Sequence, residues 1–72
     1  MSKAYGPIVD KILFREYEIL LLLSRGSTVP QIAGNIRYPI PKVHICLRSI
    51  RKKLRVSDNA AAIQVATQKG WV

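Results

Sequence analysis

The residues of this chain most able to do chemistry lie in one stretch. Lys42, His44, Arg48, Arg51, Lys52, Lys53 and Arg55 follow one another with no acidic residue anywhere between Pro39 and Ser57. On a helix advancing ~100° per residue, with His44 at zero, Arg51 falls near −20°, Arg55 near 20°, Arg48 near 40°, Lys52 near 80° and Ile45 near 100°. Val43, Leu47, Ile50 and Leu54 cluster on the other side, at about 240–300°, and Lys53 stands apart near 180°. One face is therefore apolar and the opposite one cationic. A merely solvated face usually mixes signs, and like charges on neighbouring turns destabilise an isolated helix by a few tenths of a kcal/mol per pair. A polyanion would relieve that repulsion. A helix also fits the major groove of B-DNA, where each base pair carries a distinct donor and acceptor pattern.

Other chemistries find little support. Cys46 and His44 are the only residues of their types. One of each makes no zinc site, and no nucleophile has a base and an orienting acid beside it. The sequence therefore implies neither an enzyme nor a cofactor. Cys46 reads as a small buried hydrophobe. A single cysteine allows no internal disulfide and fits a reducing compartment.

Four helices are expected to carry these residues. The first spans about Leu13 to Ser24, with Tyr17, Leu20, Leu21 and Ser24 on one stripe and Ile19, Leu22 and Leu23 on another. Gly26 supplies its left-handed stop. Thr28-Val29-Pro30-Gln31 has the form of a capping box opening a short second helix, whose Ile32, Ala33 and Ile36 make the apolar face. Asn35 to Pro41 is expected to turn, because Pro39 and Pro41 forbid a continuous helix. A third helix runs from about Pro41 to Arg55. A fourth runs from about Asn59 to Lys69, capped by Asp58 and ended by Gly70. Arg15 and Glu16 are expected to pair, with a phosphate contact as the lesser reading of Arg15. Tyr17 and Trp71 are expected to pack at the core or its edge, and Ala62, Ile63 and Ala66 to face inward.

At 72 residues the chain is one domain, with residues 1–11 read as a short flexible arm broken by Gly6-Pro7 and residues 12–72 as the folded unit. A hydrophobic share of 49% is enough for a packed core. The longest apolar run, Ile19 to Leu23, is far short of the ~20 residues that span a bilayer. No repeat or low-complexity tract is present. Net charge is +8, and it is lopsided. Residues 1–36 hold four basic against three acidic residues, whereas residues 37–72 hold eight against Asp58 alone. Such asymmetry points to a polyanionic partner. Neither a membrane nor a small-molecule site is expected.

The ordered series of short motifs resembles the LuxR/GerE-type helix-turn-helix domains of bacterial transcription regulators. Residues 12–20, Ile-Leu-Phe-Arg-Glu-Tyr-Glu-Ile-Leu, are similar to the family's L-T-x-R-E-x-E-V-L. Leu22-Leu23-Ser24-Arg25-Gly26 matches L-L-A-x-G, and Thr28-Val29-Pro30-Gln31-Ile32-Ala33 matches S-x-x-E-I-A. Residues 50–56, Ile-Arg-Lys-Lys-Leu-Arg-Val, match I-x-x-K-L-x-V. Residues 62–66, Ala-Ile-Gln-Val-Ala, match A-V-x-x-A. The departures fall on caps and on the third helix. Leu13 stands where the family has a capping Thr, and Pro39 to Cys46 replaces S-x-x-T-V-K-x-H. Asp58-Asn59 replaces N-R.

The resemblance implies an all-α fold, a small four-helix bundle containing a helix-turn-helix, in a cytoplasmic, nucleoid-associated protein. It implies double-stranded DNA as partner, with base contacts from His44, Ile45 and Arg48. Arg48 has the fork to pair with guanine, Ile45 could pack on a thymine methyl, and His44 can donate or accept. Phosphate contacts would come from Arg37, Lys42, Arg51, Lys52 and Arg55. A homodimer would form through Ala61, Val65 and Gln68 of the last helix and meet half-sites one helical turn apart. Two alternatives share this plan. One is a protein–protein co-regulator that heterodimerises with a full-length LuxR-type regulator. The other is a sigma-factor region-four-like module in contact with RNA polymerase.

Overall fold

The computed structural model describes residues 12–72, so the proposed arm at 1–11 lies outside the described residues. Four helices follow one another: α1 (Phe14–Ser24), α2 (Val29–Ile36), α3 (Ile40–Leu54) and α4 (Asn59–Gln68). Among the described residues there is no strand. The fold is a small all-α bundle in which α3 packs against each of the other three helices.

Local chemistry sets the boundaries. In α2 the capping box is complete. The Gln31 N–H donates to Thr28 Oγ1 at 3.3 Å, and the Thr28 N–H donates to Gln31 Oε1 at 2.8 Å. Asp58 caps α4 by accepting from the Ala61 N–H at 2.8 Å. Leu13, at the start of α1, has no side-chain acceptor, yet half of the box survives because the Leu13 N–H donates to Glu16 Oε1 at 3.0 Å. The turn expected over Asn35–Pro41 is shorter than that. α2 continues through Ile36 and α3 has begun at Ile40, leaving Arg37-Tyr38-Pro39 as the connection. Pro39 supplies the extended backbone before the helix, and Pro41 falls in its first turn, where a missing N–H breaks no helical bond.

All four helices close alike. A residue with positive φ (Gly26, Arg37, Arg55 or Gly70) lets the following amide reach back to a carbonyl five residues earlier, as in Tyr38 N–H to Ala33 O and Val56 N–H to Arg51 O, both at 3.0 Å. The core joins Ile19 and Leu20 of α1, Ile32, Ala33 and Ile36 of α2, Val43, Leu47 and Ile50 of α3, Ala62 and Ala66 of α4, with Ile12 and Trp71 at the ends of the described chain. Tyr17 Oη donates to the Trp71 carbonyl at 2.9 Å, tying α1 to the segment after α4. Ile63, expected to face inward, is only half-buried, because the inner face of α4 is filled by the two alanines.

Arg15 does not pair with Glu16. Its Nη1 meets Glu18 Oε1 at 2.6 Å, one turn on along the exposed side of α1. Glu16 instead turns inward, is buried, and accepts from Lys53 Nζ of α3 at 2.8 Å.

Candidate nucleic-acid interface

α3 has 15 residues and so is roughly 22 Å long at ~1.5 Å per residue. Val43, Leu47 and Ile50 are fully or almost fully buried, and each contributes about 1.5–3 kcal/mol of burial. They fix the rotation of the helix about its axis, and with it the residues that stand outward. His44, Ile45, Arg48, Lys52 and Arg55 are all exposed. The apolar and cationic faces read from the sequence are thus separated in space. Ile45 is 65% exposed, a large apolar side chain among cations. Lys53, off that arc, is held by Glu16.

The cations expected at phosphates differ in their freedom. Arg37 and Arg55 are exposed at the two left-handed helix ends that bracket α3. Lys42 is exposed, with its Nζ 4.5 Å from the centre of the Tyr38 ring. Lys52 is exposed on the third helical turn of the face. Arg51 is half-buried, and its Nη1 donates to Asn59 Oδ1 at 2.6 Å, pinning the end of α3 to the start of α4. A role for Arg51 at a phosphate would have to use its remaining donors.

Tyr38 is not among the site residues expected from the sequence, and for Arg15 a phosphate role is only the lesser expectation. The Arg15 guanidinium carbon lies 5.2 Å from the Tyr38 ring centre, so this ring is approached by two cations from different helices. Part of that signal was local, since Tyr38 and Lys42 are four residues apart. The other part joins residues 23 positions apart and has no local signature. Glu18 and then Tyr38 push the Arg15 pKa upward.

On α4, Ala61 and Val65 are half-buried and Gln68 is exposed. Their spacing puts them within one ~60° sector of the helix, away from Ala62 and Ala66. Cys46 is half-buried, not fully buried, at the margin of α3's apolar face, and burial pushes its thiol pKa up. Among the described residues no group of three His, Cys, Asp or Glu side chains could hold a metal ion, and no helix is long and apolar enough to cross a membrane. No protein-family model, curated protein or solved structure matches the chain.

Proposed function

We propose that the chain is a transcription regulator of the LuxR/GerE helix-turn-helix type, which binds duplex DNA by laying α3 in the major groove. α2, the turn Arg37-Tyr38-Pro39 and α3 make up the helix-turn-helix. The observation that carries the proposal is the division of α3: Val43, Leu47 and Ile50 hidden, and His44, Ile45, Arg48, Lys52 and Arg55 exposed on a helix without one acidic residue. Arg48 reads guanine through a bidentate pair, Ile45 meets a thymine methyl, and His44 takes the neighbouring base edge. Arg37, Lys42, Lys52 and Arg55, with the spare donors of Arg51, hold phosphates and set the register. The chain works in the cytoplasm at the nucleoid, as a dimer formed through Ala61, Val65 and Gln68, and performs no catalysis.

Selection of bound duplexes from a random pool tests this directly, with the parent and Arg48→Ala compared. The parent enriches a defined site. Arg48→Ala loses discrimination at one base position, by about 1–3 kcal/mol or roughly 5- to 150-fold. Equal binding to every duplex, or an unchanged selection after Arg48→Ala, overturns the assignment.

A protein–protein role is favoured by a different observation. Leu13 and Phe14, side by side at the start of α1, are 62% and 71% exposed. A co-regulator that heterodimerises with a full-length relative would use such a pair. Mass measurement by light scattering, alone and mixed with a candidate regulator, separates that reading from the first.

A further inference from the structure

We propose that the turn between α2 and α3 is a phosphate clamp in its own right, built by Arg15, Arg37 and Lys42 around Tyr38, and that it grips the phosphodiester backbone beside the groove that α3 enters. The inference rests on the DNA-binding reading and adds Arg15 and Tyr38 to the interface.

Three segments of the chain converge there. Arg15 comes from α1, Arg37 and Tyr38 from the turn, and Lys42 from the first turn of α3. The Tyr38 ring has Arg15 Cζ at 5.2 Å and Lys42 Nζ at 4.5 Å from its centre. The two cations are therefore no more than about 10 Å apart, close to the screening length of roughly 8 Å at physiological salt. A ring quadrupole attracts each of them, and the ring itself is anchored because Tyr38 packs against the core. Among the described residues Glu18 is the one carboxylate paired with this charge, and it engages a single nitrogen of Arg15. The guanidinium has five donors in a fixed fork, so most remain for another acceptor.

Arg37 adds an independent observation. It sits exposed with φ at 60°, a left-handed conformation that non-glycine residues seldom adopt and that recurs at binding sites. Glycine would end α2 with less strain, and it would carry no charge. An arginine there makes sense if its guanidinium has a partner. Among the described residues, the three cations on these neighbouring segments have one paired carboxylate, and the tetrahedral, multiply accepting phosphodiester matches both the remaining charge and the donor geometry.

The test is duplex affinity measured against salt concentration for the full chain, on the selected site and on an unrelated duplex. Each phosphate contact contributes about 0.9 to the slope of log affinity against log salt. Arg15→Ala and Arg37→Gly are each expected to lower that slope by about 1 and to weaken both duplexes alike, since backbone contacts carry no sequence information. Lys69→Ala removes an equal charge beside Trp71 and is expected to leave the slope near that of the parent. Tyr38→Leu weakens binding more than Tyr38→Phe, which keeps the ring faces and loses only the hydroxyl beside Arg15. Arg37→Gly is expected to melt at or above the parent temperature, so its weaker binding is not unfolding. A slope unchanged by Arg15→Ala and Arg37→Gly, in a parent that binds DNA and depends on Arg48, overturns the clamp alone. A parent that binds no duplex overturns the reading of α3, and the clamp with it.

Discussion

Arg37 and Arg55 hold φ near 60°, the conformation in which Gly26 and Gly70 end α1 and α4. For an L-residue this backbone costs about 1–2 kcal/mol, because Cβ crowds the following carbonyl. Glycine avoids the clash but gives back about 0.4–1 kcal/mol through the greater freedom of the unfolded chain. The balance runs from about zero to roughly 1.6 kcal/mol in favour of glycine at each site, with its middle at about 0.8 kcal/mol. A domain of 60–100 residues gains roughly 4–8 °C in melting temperature per kcal/mol. Arg55→Gly should therefore melt a few degrees higher than the parent by circular dichroism, and should bind duplex DNA more weakly, with the deficit largest at low salt. A variant that binds as well as the parent would remove Arg55 from the proposed interface. Neither strained arginine announces itself in the sequence, since the usual mark of such a position is glycine or asparagine.

Between elements, the bond that matters most for the site is Lys53 Nζ to Glu16 Oε1, which joins α3 to α1 across 37 positions. Glu16 is buried, and it also accepts the Leu13 amide, so its charge needs both partners. Lys53→Met strands that carboxylate. Full removal of one partner from a buried pair costs about 3–5 kcal/mol, and the partial exposure of Lys53 places the loss at or below the lower end of that range. Adding Glu16→Gln, which keeps an acceptor for Leu13 and drops the charge, should recover most of the lost stability in urea unfolding. If the double variant is no more stable than Lys53→Met, the charge is not what Lys53 answers. The sequence placed Lys53 off the cationic arc by helical angle alone but could not name its partner. The same holds for Arg51, whose hydrogen bond to Asn59 crosses from α3 to α4. Features that depend on three or four neighbouring residues were legible: the capping box at Thr28, the Asp58 cap, and the hidden and exposed faces of α3. The Arg15–Glu16 pairing failed for a related reason. Adjacent helical residues point ~100° apart, so a carboxylate at i+3 is the better partner.

At the scale of the whole molecule, the proposed dimer has little surface to use. α4 has 10 residues and is about 15 Å long, and a helix is about 10 Å wide. A strip of that size falls well short of the ~800 Å² per partner typical of stable complexes. Small side chains make it flatter still, since Ala61 and Val65 are already half-buried within their own subunit. The free chain is therefore expected to be a monomer at micromolar concentration. Duplex DNA changes the arithmetic by holding two copies side by side, where effective concentrations reach the millimolar range. Two half-sites about 10–10.5 base pairs apart place both copies on one face of the helix, and binding there should be cooperative. Moving the half-sites by a further half turn puts the copies on opposite faces and should abolish cooperativity while leaving each site occupied singly. Val65→Glu is expected to do the same on the unaltered spacing, because two carboxylates would meet across the symmetry axis. Gel-shift titration on the two spacings, with sedimentation of the free chain, reads all three outcomes. A free dimer that survives Val65→Glu, or cooperativity indifferent to spacing, would place the association surface elsewhere than on α4.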